Sequence, residues 1–266
     1  PAPKLALGLA LLESRAQPAE LRSGEQLTLL LTWAASASIP TDLKARFSLL
    51  DQNGSVVTSQ LAPLAEEFPT SQWPLGCVVR QHYDLGLDRD LPSGTFSVLM
   101  EVLDESDTVL GSRTLPETVQ VTLPERDFVL PPFQQQVGAE YGGLLRLAGY
   151  DLTRSESEAR LTLYWQAIGV TSTDYKLFVH LFDPATERIA TQQDTLVGDP
   201  AHPTSQWVLN EVVAQEVTLQ LDGVAAGSYV LAVGAYNAQG RLQVAAPVSF
   251  TVSSDRLLLP ELIVTR

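Results

Sequence analysis

The sequence predicts an all-β protein built as two tandem antiparallel β-sandwich domains. Three observations predict it: a pentapeptide recurs in the two halves, apolar residues alternate with a period of two, and Gly, Pro, Asn and Asp cluster between the alternating runs.

The recurrence organises the chain. Pro69-Thr70-Ser71-Gln72-Trp73 returns letter for letter as Pro203-Thr204-Ser205-Gln206-Trp207, an offset of 134. The flanks agree at nearly the same spacing. Trp33 aligns with Trp165, Thr41-Asp42-Leu43-Lys44 with Thr173-Asp174-Tyr175-Lys176, Val78-Val79 with Val212-Val213, and Ser93-Gly94-Thr95-Phe96 with Ala226-Gly227-Ser228-Tyr229. An internal duplication is the economical reading, and it accounts for all four tryptophans with two repeated positions.

Within each copy every second residue is apolar, as a half-buried strand requires. The first copy runs Leu27, Leu29, Leu31, Trp33, then Ala45, Phe47, Leu49, then Phe96, Val98, Met100, Val102. The second runs Leu161, Leu163, Trp165, then Tyr175, Leu177, Val179, Leu181, then Val217, Leu219, Leu221, then Tyr229, Leu231, Val233, Ala235. Asp51-Gln52-Asn53-Gly54 and Asp183-Pro184-Ala185-Thr186 supply hairpin turns at matching places. Short strands so punctuated, without an amphipathic helix between them, predict an immunoglobulin-like or jelly-roll-like sandwich. Leu123-Pro124-Glu125-Arg126 and Pro131-Pro132 break the pattern, so the first repeat is expected over 1–124, a linker over 125–136 and the second repeat over 137–266.

Composition narrows the function classes. The chain has 266 residues, 45% hydrophobic and 18% charged, so each half can bury a core of its own. Its formal charge of −14 and scattered arginines, with Lys4, Lys44 and Lys176 the only lysines, argue against a nucleic-acid partner. The longest uncharged apolar run, Leu27 to Thr41, is too short to cross a membrane as a helix and carries Ser, Thr and Pro. Met100 is the only methionine, which leads to the expectation that this chain is part of a longer protein.

No chemistry-bearing constellation emerges, so no catalytic residue, cofactor or metal ligand is assigned. The lone Cys77 forms no zinc-ligand pattern. His82, His180 and His202 lie in unlike contexts, and no Gly-x-Ser-x-Gly elbow accompanies them. Asp104-Glu105-Ser106-Asp107 and Glu66-Glu67 read as solvated turns, with a calcium site at Asp104 and Asp107 as the alternative for the first. Trp73 and Trp207 end a loop in each copy and read as plugs for the end of a sandwich; Trp33 and Trp165 read as core.

The second copy carries Leu147-Ala148-Gly149-Tyr150-Asp151-Leu152, Leu161-Thr162-Leu163-Tyr164-Trp165-Gln166-Ala167, Phe178-Val179-His180-Leu181-Phe182-Asp183, and Gly227-Ser228-Tyr229 through Gly234-Ala235-Tyr236. Over roughly Val137 to Val252 it resembles the soluble β-sandwich accessory domain of Chloroflexi-type membrane glycosyltransferases, the dolichyl-phosphate-mannose mannosyltransferase-like proteins, and related surface proteins. The first copy departs from that pattern at Phe47-Ser48-Leu49-Leu50 and Met100-Glu101-Val102-Leu103. The resemblance implies a non-catalytic, extracytoplasmic module, anchored through a part not shown, whose partners are other domains of its polypeptide or envelope proteins. It carries over no catalytic residue.

One difference between the copies singles out candidate ligand residues. Out of phase with the core, the second copy has Tyr164, Phe178, His180 and Tyr236 where the first has Thr32, Arg46, Ser48 and Leu103. An aromatic outer face on the second copy is therefore expected. It suits packing against the other domain or against Phe128, Phe133 and Tyr141; the alternative is a carbohydrate-binding face, since such rings stack on sugars and hydrogen-bond their edges.

Overall fold

The computed structural model describes residues 4–264. The chain divides into two compact units, Pro1–Pro124 and Glu125–Arg266. Both are antiparallel β-sandwiches, and the only helical turns among the described residues are two short 3₁₀ segments.

The first unit contains β1 (Lys4–Ala6), β2 (Leu9–Gln17), β3 (Glu20–Arg22), β4 (Gln26–Ala35), β5 (Lys44–Leu50), β6 (Val56–Pro63), β7 (Val78–Gly86), β8 (Gly94–Leu103) and β9 (Val109–Thr122). One sheet has the order β1-β2-β4-β7 and the other β3-β9-β8-β5-β6, with the short β3–β9 pairing parallel and the rest antiparallel. Consecutive β4 and β5 lie in opposite sheets, as do β6 and β7, and β7 and β8. That crossing pattern is the immunoglobulin-like Greek key. Leu27, Leu29, Leu31 and Trp33 from one sheet meet Ala45, Phe47, Leu49, Val98 and Met100 from the other in a single core.

The second unit contains β10 (Gln135–Tyr141), β11 (Leu145–Arg154), β12 (Glu158–Ala167), β13 (Lys176–Asp183), β14 (Arg188–Leu196), β15 (Gly198–Asp199), β16 (His202–Pro203), β17 (Val212–Gln220), β18 (Gly227–Asn237), β19 (Gly240–Arg241), β20 (Val244–Ala245), β21 (Thr251–Val252) and β22 (Leu257–Val264). Its sheets run β17-β12-β11-β10-β20 and β14-β13-β18-β22-β21, with β19 on β18 and β15–β16 a separate small hairpin. Every residue the period-two reading placed inward in either half is buried, from Leu27 in β4 to Ala235 in β18.

The repeated pentapeptide has a structural explanation. Thr70–Gln72 and Thr204–Gln206 each form one 3₁₀ turn. Thr70 Oγ1 accepts the Leu43 N–H at 2.8 Å and donates to the Thr41 carbonyl at 2.9 Å. Thr204 Oγ1 does the same with Tyr175 N–H at 3.0 Å and Thr173 carbonyl at 2.9 Å. Asp42 and Asp174 accept the N–H of Ser71 and Ser205, and the indoles of Trp73 and Trp207 donate to the carbonyls of Phe68 and His202. The turn thus ties the loop ahead of β7 or β17 to the start of β5 or β13, while its tryptophan fills the end of the core. Trp73 and Trp207 are 4% and 1% exposed, and Trp33 and Trp165 are wholly buried.

Residues 125–136, expected as a linker, are laid on the second unit. Arg126 binds the buried Glu211, Asp127 bridges to Val212 at the start of β17, Phe133 stacks on Tyr164, and the Gln134 N–H reaches Asp151 at 2.6 Å. The run keeps its Pro-rich, unpaired character between these anchors, with Val129 81% exposed. Among the described residues no helix is long and apolar enough to cross a membrane.

Candidate functional site on the second unit

The four candidate residues do not share a face. Tyr164 lies on β12 in one sheet, whereas Phe178 and His180 on β13 and Tyr236 on β18 lie in the other. The expectation of one aromatic outer face is therefore corrected to two separate clusters. The reason is geometric: a residue out of phase with the core points outward from its own sheet, and a sandwich has two outward faces.

On the first of these faces Tyr164 is 9% exposed. Phe133 stacks over it at 5.7 Å between ring centroids, and its hydroxyl donates to Asp151 Oδ2 at 2.8 Å. That bond to a carboxylate raises the Tyr164 pKa above the ordinary phenol value, burial adding to the effect. Gly149 makes room for the cover, because a Cβ there would run into the Phe133 ring. A mid-strand glycine of this kind marks a close approach.

On the second face Phe178 is 2% and His180 8% exposed, while Tyr236 is half-buried. The Phe178 ring lies 4.6 Å from that of His180 and 6.1 Å from that of Tyr236, and it rests on Gly234, where a Cβ would collide with it. Asp194 on β14 gathers the polar handles: Tyr236 donates to Oδ2 at 3.0 Å, and His180 Nε2 stands 3.9 Å from Oδ1. Burial lowers the His180 pKa; Asp194 opposes the shift and the charges of Arg241 and Arg256 reinforce it, which favours the neutral imidazole. The Asp194 hydrogen bond raises the Tyr236 pKa.

The cover here was not legible in the sequence. Between β18 and β22 the chain makes a long excursion, residues 238–256, where the first unit has only the tight turn 104–108 between β8 and β9. Arg241 from that excursion stacks over Phe178 at 4.9 Å, and Arg256 over Phe182 at 5.0 Å. Each guanidinium is tethered to a backbone carbonyl, Arg241 to Ser254 and Arg256 to Ser253. In the first unit the corresponding face is polar, with Arg46 paired to Glu101 at 3.2 Å and Ser48 bonded to Ser59.

Sequence reasoning also missed a buried ionic cluster. Glu211, 1% exposed, accepts from Arg126, from the Val208 N–H at 2.9 Å and from His202 Nε2 at 2.6 Å. Burial pushes the Glu211 carboxyl up, but the His202 and Val208 hydrogen bonds and the His202 and Arg126 charges outweigh it and hold its pKa below the ordinary value. The same two places in the first unit are apolar, Phe68 and Cys77, and the frame fixes the correspondence. Trp73 donates to the Phe68 carbonyl as Trp207 does to His202, and the Cys77 carbonyl accepts from Ala35 N–H as that of Glu211 does from Ala167. A histidine oriented by a carboxylate suggests a general base. Here the carboxylate also takes up an arginine, and His202 Nδ1 is buried with no hydrogen-bond partner. The cluster reads as a fastening for residues 125–127.

The acidic turn of the first unit is self-satisfied. Asp104 Oδ1 accepts the N–H groups of Ser106 and Thr108, both at 2.9 Å, and Asp107 pairs with Lys44 at 2.8 Å. Among the described residues no group of His, Cys, Asp or Glu is arranged to hold a metal ion.

No family model matches the chain, and neither does any curated protein. Among solved structures it is similar to the Pseudomonas fluorescens alkylpurine DNA glycosylase AlkC bound to abasic-site DNA, at 16% identity and a TM-score of 0.31 over 43% of this chain, which spans 30% of that one. It is also similar to the CARDB domain of a Pyrococcus furiosus protein in complex with two metal ions, at 14% identity and a TM-score of 0.28, covering 47% of this chain and all of that one. A DUF4785 family protein from Legionella pneumophila is similar at 13% identity and a TM-score of 0.28, covering 90% of this chain and 56% of that one. Likenesses of this size say nothing about function.

Proposed function

We propose that this chain is a non-catalytic, extracytoplasmic interaction and spacer region of a larger cell-envelope protein, composed of two duplicated sandwich domains. The observation that carries the reading is the use the second unit makes of its own aromatic residues. Tyr164 lies under Phe133, and Phe178 under Arg241, so rings that would stack on a ligand already stack on the chain itself. The recurrence of the threonine, aspartate and tryptophan bonds in both units supports duplication of one domain. The acidic balance and the resemblance of the second copy to glycosyltransferase accessory domains support the envelope setting.

A sugar-binding role would have to rely on Tyr236, the one half-buried ring of the four, with Asp194 beside it. Affinity electrophoresis through a panel of soluble polysaccharides, backed by a glycan array, tests the choice. The expected result is no retention, unchanged in Tyr164→Ser and Tyr236→Ser variants. Retention that Tyr236→Ser abolishes at unchanged melting temperature would overturn the spacer reading in favour of carbohydrate binding.

A further inference from the structure

The geometry points to β7 as a self-pairing edge, through which two copies of this chain join sheet to sheet. β7 ends the sheet β1-β2-β4-β7, and among the described residues no strand pairs with its outer side. The phase of its hydrogen bonds is fixed at both ends, since Ala35 N–H bonds to the Cys77 carbonyl and Leu87 N–H to that of Glu25. Odd-numbered residues of β7 therefore bond to β4. The N–H and C=O groups of Val78, Arg80, His82, Asp84 and Gly86 point to the free edge. The Asp84 carbonyl takes the Gln60 side-chain amide at 3.1 Å, a contact that the backbone N–H of a second copy would replace on pairing.

The side chains on those same residues are self-complementary. Two copies of β7 related by a two-fold axis at His82 place Arg80 opposite the partner's Asp84 and Asp84 opposite the partner's Arg80. Val78 then lies against the partner's Gly86. Only registers that pair even with even residues engage the free backbone groups, and this is the one among them that matches both charge pairs. Charges on an edge strand usually guard it against pairing; a guard of one sign would repel its own copy, whereas these two signs are arranged antisymmetrically about His82. Val78 is 60% exposed, and Gly86 has open space where a Cβ would be, so the apolar residue meets a position that can receive it. Arg80 and Asp84 have weak claims at home: Arg80 stands 3.7 Å from Glu13, with both side chains mostly exposed, and Asp84 accepts a bond from Thr28 with one of its two oxygens.

The second unit gives independent support. Val212, at the place equivalent to Val78, donates its N–H to the Asp127 carbonyl at 2.7 Å in an antiparallel bridge. The chain itself adds backbone to that edge in the second unit, whereas in the first no strand among the described residues does so. Elsewhere in the first unit the edges are less suited, because β6 ends in Pro63 and β1 and β3 are three residues each.

Sedimentation equilibrium of the full chain over a concentration series up to about 1 mM tests the proposal. Wild type is expected to show a reversible monomer–dimer equilibrium. Arg80→Asp and Asp84→Arg should each weaken it by about tenfold or more, since each turns two attractive cross-strand pairs into repulsive ones. The double reversal Arg80→Asp/Asp84→Arg should restore wild-type affinity, which a general loss of stability could not do. His82→Pro should abolish dimers without lowering the melting temperature, because its N–H is not used within the sheet. A monomer across the whole series, or a dimer indifferent to the single reversals, would overturn it.

Discussion

Replacing Arg126 by Met leaves the Glu211 carboxylate, whose side chain is 2% exposed, without its guanidinium. Breaking a buried pair by removing one partner costs about 3 to 5 kcal/mol, because the remaining charge stays desolvated. Glu211 keeps His202 and the Val208 N–H, so the lower end, about 3 kcal/mol, is expected. The first unit shows how the same frame is built without ions, by Phe68 and Cys77. Arg126→Met/His202→Phe/Glu211→Cys copies that solution and should return to within about 1 kcal/mol of wild type, because a buried ion network often does no better than apolar packing. Urea unfolding followed by tryptophan fluorescence reads both variants, with Trp207 bonded to His202 as a local reporter. The folded Glu211 pKa lies below its reference value of 4.5, so its contribution is present above that pH and is lost as the pH falls through the lower folded value. The penalty in Arg126→Met should therefore shrink in acid. A single variant losing less than about 1 kcal/mol at neutral pH, or a triple variant as unstable as the single, would contradict the role given to this ion pair.

Gly234→Ala sets a methyl against the Phe178 ring and should cost about 1 to 3 kcal/mol, with Phe178→Leu/Gly234→Ala recovering part of the loss by thermal denaturation. The folded His180 pKa lies below 6.5, so the unfolded chain takes up the proton first and stability falls as the pH drops from 6.5 towards the folded value. Melting temperatures in mildly acidic and neutral buffer should show this slope in wild type, flattened in His180→Gln, with Asp194, Arg241 and Arg256 the charges that face the ring. Thr70→Val and Thr204→Val should each cost about 1 to 3 kcal/mol and by similar amounts, since each strands one N–H and one carbonyl in an equivalent place; a large cost in only one unit would contradict the shared role of the turn.

The core was legible because alternation alone determines it: Trp33, Phe47 and Leu163 are inward by phase, and no distant residue can change that. The outer faces were not legible, because what covers a strand's outward side comes from elsewhere in the chain. Arg241 and Arg256 are single arginines in an irregular stretch, and nothing in their neighbourhood announces Phe178 or Phe182. Arg126 and Glu211 are 85 residues apart, and the first of them lay in an apparent linker. Two signals were present all the same. Gly149 and Gly234 interrupt strands that otherwise favour large residues, which marks places where another group comes close. Aligning the two halves at Phe68 with His202 and Cys77 with Glu211 would have shown an apolar pair exchanged for an ionic one.

The same contrast bears on how such a module makes contacts. In the second unit six consecutive residues of β13, Leu177 to Phe182, are buried, because the core takes one side of the strand while Arg241, Arg256 and their loop take the other. The Phe178 and Phe182 rings are therefore withdrawn from partners, and a ligand could reach them only by displacing two tethered arginines, which leaves Tyr236 as the half-buried ring of that face. A partner can instead add backbone to a strand edge without disturbing either face, which needs only unused N–H and C=O groups and compatible side chains. Asp127 already does this to the second unit at Val212, and the open counterpart in the first unit is β7. If contacts form through edges, the Tyr236→Ser change should leave self-association intact while Arg80→Asp weakens it. The opposite pattern would move the binding surface back to the aromatic face.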